Sequence, residues 1–546
     1  MKFKWYEDET LIKLSRKCDD LYDSQNENEM QQAVSECCEQ ANNLENDELV
    51  RARYFYVAFT AHGNWINLKI KNEVGNGIES LKNRIKSLKF HEVDFQKSLY
   101  LVRNAFELLN NAINGDEKFS KEEMTMLSNF RQQLSVNYAN FFYENGRFTK
   151  AVEILNIFAN EKNFPMGTIN LGMKIYEMAC QHYDRAQMKV MFYKAFHYIE
   201  EANRSEIDFL EKKEIQNLIY SYKNKIISLL GEEYLNKQYN ASDFFKIDDN
   251  LIEQESSYRD WIAKNRLSLN ILNDVFDSIE VGNDPLFLPP MTESIESKKV
   301  ESLFGLFNQI KQEYVSARFL AYEGFCIREP HFSDRDVHLV NTLDYTIYGL
   351  GIEKIKACYR AVYSIFDRIA FFLNEYFELG ISEKAVDYVR VFSPDKTKSD
   401  KVKILDIADN NYPLFGMWWL FKDIRNINID IKGKRDRSKE YKHIDNIMSK
   451  VSDIRNVMEH RYLKILEYNS KGNFFTENRL DKLAHNISFS DFEVLTLQLL
   501  KNVREAVILL VFSIRRAEEI KESSNTDRIT VPMYASKYWD DWKQIF

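Results

Sequence analysis

The chain has 546 residues, of which 45% are hydrophobic and 29% charged, the balance of a folded globular protein and neither a disordered nor a fibrous one. It holds 17 Gly and 8 Pro where average usage would give about 38 and 27, and no Pro precedes Pro165, which argues against a turn-rich β-protein. With a formal net charge of −9, contact with nucleic acid is left to a local basic patch and not to the surface as a whole. From the N-terminus onward apolar residues recur at helical spacing, and no run of strict alternation is bounded by turn signals, so the fold class is all-α.

In the first half, Tyr138 to Phe148 is followed by Ala151, Leu155 and Phe158. A small residue where two helices touch, an aromatic three later, Gly146 at the turn and Ala151 in the next helix form the pattern of a tetratricopeptide-like (TPR-like) repeat. Asn170-Leu171-Gly172 restarts the pattern, and Tyr56, Phe59, Gly63 and Asn64-Trp65 read as a more degenerate copy. The competing reading is a generic helical bundle, since Ala and aromatics at helical spacing also build ordinary cores. A repeat array would offer its concave surface to a protein or peptide ligand.

The pattern breaks near 240–250, and Asp284-Pro285 with Leu288-Pro289-Pro290 marks a connection. A helix near 302–322 follows, then a long one over 344–379 stopped by Gly380, with Ile355, Cys358, Val362, Ile365, Ile369, Leu373 and Tyr376 as its apolar stripe. Further helices are expected over 412–424, 438–468 and 491–522, the last opened by a capping box of Ser490 and Glu493. Four long helices with short connections imply a C-terminal four-helix bundle.

No Walker loop, G-x-G-x-x-G, H-E-x-x-H or Cys/His zinc spacing is present, so no metal and no cofactor is expected. The one histidine with a chemical neighbourhood is His460 in Arg455-Asn456-Val457-Met458-Glu459-His460-Arg461-Tyr462. On a continuous helix Asn456 and His460 would stack i, i+4 and Arg455 and Tyr462 i, i+7. Looser Arg/His spacings recur at Arg84/His91, Arg437/His443 and Arg479/His485, but only Arg455/His460 combines a four-residue gap with Tyr two positions on.

This set resembles the R-x4-H-x-Y motif of HEPN-superfamily ribonucleases, which lies on the third helix of a four-helix bundle. Tyr258 to Trp261, Ser268 to Asp274, Tyr363 to Asn374 and Tyr538 to Trp542 are similar to segments of bacterial TPR-linked HEPN proteins, and the resemblance covers about 258–542. The implied organisation is a TPR-like domain over 1–238, a connecting segment over 239–300 packed on the C-terminal domain, and a HEPN domain over 301–546. The implied activity is metal-independent RNA cleavage, by a toxin or anti-phage effector regulated through its TPR-like domain. The residues suit that chemistry. An imidazole exchanges protons near neutral pH. Arg455 could fork onto phosphate oxygens in the transition state. Asn456 would orient the imidazole or hold the phosphate, and Tyr462 would donate to the phosphate or shape the pocket.

One helix supplies one His, so a homodimer with two such helices facing each other would complete the site. Lys432, Lys434, Arg435, Arg437, Lys439 and Lys442 stand against Asp436 and Glu440 just ahead of it. They form either a solvated loop or an RNA-steering patch. Asp367, Arg504 and Glu505 fit structural ion pairs as well as a supporting role. The alternative to a nuclease is a non-catalytic scaffold that binds RNA, nucleotide or a partner protein, and a purely structural helical protein is a third reading. Apolar runs such as Ala506 to Phe512 fall short of the ~18 residues of a membrane span. The acidic N-terminus is unlike an export signal. Cys18, Cys37, Cys38, Cys180, Cys326 and Cys358 lack metal or CxxC spacing and suit buried free thiols, so a cytoplasmic location is expected.

Overall fold

A computed structural model describes residues 5–74, 92–115, 119–159, 164–204, 212–239, 241–244, 251–292, 298–327, 329–392, 403–425, 446–467 and 481–524. These residues are nearly all helical, as the periodicity requires, with one two-stranded sheet. The first half comprises α1 (Glu9–Asp23), α2 (Glu27–Asn42), α3 (Glu48–Val74), α4 (Glu92–Asn114), α5 (Lys121–Glu144), α6 (Phe148–Leu155), α7 (Pro165–Ala179), α8 (Arg185–Asn203) and α9 (Lys212–Leu230). Polar side chains set their starts: Asp8 Oδ1 accepts from Leu11 N at 2.7 Å, Ser120 and Glu123 form a reciprocal capping box, and Asp184 caps α8. Pro165 opens α7, where its missing N–H costs nothing.

The helix–turn–helix expected from Tyr138 onward is α5, a turn at Gly146 and α6. Gly146 sits at φ 79, and a Cβ there would come within 2.4 Å of the Tyr412 carbonyl, so both conformation and space demand glycine. In α7, a Cβ on Gly172 would lie 2.7 Å from Ile199, which makes it the small residue at the α7–α8 contact. The copy expected around Tyr56 to Trp65 is not a helix–turn–helix, because α3 runs unbroken through Gly63. Ala58, Ala61, Trp65 and Leu68 stay buried on both sides of Gly63, and that packing offsets the cost of one mid-helix glycine, about 1 kcal/mol.

A segment of α10 (Glu253–Asn265) and short 3₁₀ turns then buries Leu267, Leu269, Ile271 and Leu272. The second half comprises α11 (Lys299–Cys326), α12 (Leu350–Phe377), α13 (Tyr412–Arg425), α14 (Asn446–His460) and α15 (Phe489–Ser524). Helices α12 to α15 form the expected bundle, and α11 lies along α12 as an added fifth helix. The whole stripe from Ile355 to Tyr376 is buried. Helix α15 touches the other three and is buried almost all round from Leu499 to Ile514, while Val494 in its second turn is exposed.

Helix ends depart from expectation. Helix α12 starts at Leu350, because the preceding residues are extended and pair with a strand. It ends with Glu378 already left-handed at φ 55, two residues ahead of Gly380. The capping group of α15 is Ser488, whose Oγ accepts from Asp491 N at 3.1 Å and donates to Asp491 Oδ2 at 2.7 Å, and not the Ser490/Glu493 pair. The largest change concerns the third bundle helix, which ends at His460. β1 (Leu463–Leu466) follows and pairs in parallel with β2 (His485–Ser488).

Buried charge joins the halves. Arg103 is bidentate to Asp423 at 3.1 and 3.0 Å, and Arg147 holds Glu505 at 3.1 and 2.6 Å while also pairing with Asp423. Arg504 binds both oxygens of Asp274 at 2.9 and 3.0 Å and the Ser268 and Asn270 carbonyls. Asp367 accepts from Tyr388 N at 3.0 Å, so Asp367, Arg504 and Glu505 all have structural partners. One apolar core runs through both halves. All six cysteines are free. Cys18, Cys37 and Cys358 are buried as expected, whereas Cys180 and Cys326 are exposed.

Candidate functional site

Helix α14 buries Val451, Ile454, Val457 and Met458 against the bundle, a spacing that leaves Asp453, Asn456, Glu459 and His460 facing outward. Tyr359 of α12 fastens its base by donating to the Val451 carbonyl at 2.7 Å. Arg455 lies at the edge of the buried face, half-buried, with its guanidinium 5.4 Å from the centre of the Tyr363 ring and Nη1 donating to Asn456 Oδ1 at 3.2 Å. His460, the last helical residue, is exposed, and its ring has no hydrogen-bond partner among the described residues. Arg455, Asn456 and His460 thus occupy one outward-facing side of α14.

Tyr462 is not the next rung of that side. Arg461 N still bonds the Val457 carbonyl at 2.8 Å, after which the chain straightens and the Tyr462 carbonyl accepts from His485 N at 2.8 Å. The expected i, i+7 stacking of Arg455 and Tyr462 therefore does not form. The half-exposed Tyr462 phenol instead lies against the Tyr348 hydroxyl and Lys464, whose ammonium is 5.5 Å from its ring centre.

Four residues beside the motif carry no signal in its spacing. Arg360, one turn from Tyr363 on α12, donates to the Met458 carbonyl at 3.2 Å and pairs with Glu459 at 3.3 Å, so it braces the end of α14. Tyr363 supports Arg455. Lys464 and Tyr348 hold the Tyr462 side. Lys464 is itself buried and pairs with Asp344 at 2.5 Å and Asp481 at 3.4 Å. Burial alone would raise the Asp344 carboxyl, yet hydrogen bonds from Lys464, Thr342 and Thr346 hold it far below the usual carboxylate range. Burial likewise opposes the charge on Lys464, which Asp344 and Tyr462 restore and raise above the usual lysine value. The three-apart spacing of Arg360 and Tyr363 on α12 was the one available hint.

Around His460 and Tyr462 the cations Arg360, Arg455 and Arg461 are at least partly exposed, with Arg360 paired to Glu459 and Asp453 exposed on the same helix. The expected RNA-steering residues Lys432, Lys434, Arg435, Arg437, Lys439 and Lys442 lie outside the described residues, as do Tyr538 to Trp542. No three-residue cluster of His, Cys, Asp or Glu suited to a metal occurs among the described residues, and no helix there is long and apolar enough to cross a membrane.

No curated protein and no solved structure matches this chain. Residues 294–517 match the model of the LA2681-like HEPN family, a span that takes in α11 and leaves out Tyr258 to Asp274. Together with the helical bundle they form, this places a HEPN domain in the C-terminal half of the chain.

Proposed function

We propose that the protein is a metal-independent endoribonuclease of HEPN type, with Arg455, Asn456, His460 and Tyr462 as its site. The observation that carries this reading is the outward-facing Arg455, Asn456 and His460 set on one side of α14, inside the segment that matches a HEPN family. His460 would exchange protons with the 2′-hydroxyl or the leaving 5′-oxygen, and Arg455, pre-set on the Tyr363 ring, would stabilise charge on the phosphorane. The exposed imidazole and its unused hydrogen-bonding capacity favour completion of the site by a second copy across a two-fold axis, in a homodimer through the bundle. The first half acts as a TPR-like regulatory domain with a protein or peptide ligand, an organisation suited to a toxin or anti-phage effector. The basic run from Lys432 to Lys442 would steer the RNA backbone.

The test compares purified wild type with Arg455→Ala and His460→Ala on total tRNA and mRNA in EDTA, with analysis of the new 3′ ends. Wild-type cutting should leave 2′,3′-cyclic phosphates and fall about 10²-fold or more in each variant. Cutting that persists equally in both variants overturns the assignment. RNA bound but left intact by the wild type supports the non-catalytic scaffold instead.

A further inference from the structure

Seven aromatic rings are largely exposed among the described residues, and three of them, Tyr345, Tyr348 and Tyr462, are carried by the small sheet that follows α14. Residues 345–347 pair antiparallel with β1: Glu467 N donates to the Tyr345 carbonyl at 3.0 Å and Ile347 N to the Ile465 carbonyl at 2.8 Å, around the bridge from Thr346 to Leu466. Continued by two residues, that register sets Tyr348 across from Lys464 and diagonal to Tyr462, on one face of the sheet. The other face packs Ile347, Leu463, Ile465 and Ile487 on the core.

The two rings are prepared for a flat ligand. Tyr348 is 50% and Tyr462 44% exposed, and neither ring stacks on another aromatic among the described residues. Their hydroxyls meet, and the Lys464 ammonium lies 5.5 Å from the Tyr462 ring centre. Rings held in this way lose little freedom when something lies on them. Between and beside them the face is polar, with Thr346, Lys464 and, in register with Lys464, Asn486. A nucleobase, with its polar edges, suits such a face better than an apolar peptide does. Asp344 and Asp481 are both spent on Lys464, so neither presents an unpaired carboxylate to a phosphate. Exposed Arg461 stands between His460 and Tyr462, which are two residues and at most about 7 Å of chain apart.

We infer that Tyr348, together with Tyr462, forms a stacking platform for an unpaired base next to the phosphate held at Arg455 and His460, so that the protein takes single-stranded RNA and not duplex. The inference rests on the proposed RNA site of α14 and adds to it a residue that the motif does not contain. In a duplex the faces of the bases are covered by their neighbours, whereas an unstacked base can lay its face on a tyrosine ring whatever its identity. Tyr348 therefore acts on which RNA is bound and not on the proton transfers at His460.

Fluorescence titration of the full chain tests this, with a short single-stranded RNA that carries 2-aminopurine in place of adenine and a 2′-O-methyl group on every ribose. Methylation removes the attacking 2′-hydroxyl, so binding is read without cutting. Wild type should quench the probe and bind it at least about tenfold more tightly than its duplex. Tyr348→Phe keeps the ring and should bind within about twofold of wild type. Tyr348→Ala and Tyr348→Leu should each weaken binding about tenfold and lose much of the quenching at saturation, with urea midpoints near that of wild type because the side chain is exposed. Arg455→Ala should weaken binding yet keep the quenching at saturation, which separates phosphate contact from base contact. Duplex bound as tightly as single strand, Tyr348→Leu behaving as wild type, Tyr348→Phe losing as much as Tyr348→Ala, or no binding of the probe overturns the inference. Absence of cleavage by the wild type bears on the nuclease alone: probe binding that depends on the Tyr348 ring supports the platform even then, and cleavage without that dependence overturns the platform alone.

Discussion

At the scale of single residues, the motif and its support differ in how they can be seen. Arg455, Asn456 and His460 share a helix face because of their spacing, and that was legible from the sequence. Tyr462 was legible only as a residue type. Its position depends on Lys464, which in turn depends on Asp344, 120 residues upstream. That pair makes a prediction. Lys464→Met leaves Asp344 buried without a counter-charge and should cost about 3–5 kcal/mol in urea unfolding. Adding Asp344→Asn removes the stranded charge and keeps an acceptor for Thr342 and Thr346, so the double variant should regain much of the loss. If the double variant is no more stable than the single, the ion pair is not what holds this corner.

At the scale of elements, periodicity located the helices but not all of their ends. The residues from 461 to 466 continue an apolar pattern that suits a helix, and the four-residue strand they form is specified by its partners, β2 and the bridge from Thr346 to Leu466. Such short strands carry too few alternations to be read alone. The turn at Gly146 was legible, because a Gly between two apolar helical runs has few other uses. Its second constraint, the approach of the Tyr412 carbonyl and the Gly416 backbone from α13, was not. Gly146→Ala combines a left-handed backbone with a 2.4 Å clash, so it should destabilise by more than the ~1 kcal/mol of a conformational penalty alone. The α3 helix should tolerate Gly63→Ala or gain up to about 1 kcal/mol, since the site is mid-helix and a Cβ there meets nothing within 4 Å. Thermal melts of the two variants, measured together, check both signs.

At the scale of the whole molecule, the halves are one unit because charged side chains are shared. Arg147 of the α5–α6 turn neutralises Asp423 of α13 and Glu505 of α15 at once. Arg147→Met should therefore destabilise by about 3–5 kcal/mol and split urea unfolding into two transitions as the first half and the bundle lose a shared anchor. A single transition with unchanged midpoint would refute that role. Stability should also depend on pH through two buried imidazoles of the first half. Burial lowers His62 to about 3 and His182 to about 4. In the unfolded chain each would titrate near 6.5, so below that pH the unfolded state takes up protons that the folded state refuses. Their contribution is whole above about pH 6.5. It declines as pH falls toward 4 and 3, by up to about 1.4 kcal/mol per pH unit for each group. Urea midpoints measured between pH 7 and 4.5 should fall, and less steeply in His62→Gln.

The amino-acid sequence by itself determined the all-α class, the helix–turn–helix around Gly146, the bundle of long helices and the Arg455, Asn456 and His460 face, because each depends on residues within a few helical turns of one another. The tertiary structure alone decided where α14 stops, where Tyr462 goes and which carboxylate each buried arginine answers. Those outcomes depend on partners up to 358 residues away, and no periodicity links Arg147 to Glu505. Burial removes water as the alternative partner for such groups, so their pairing is set by the fold that brings them together and not by the order in which they occur along the chain.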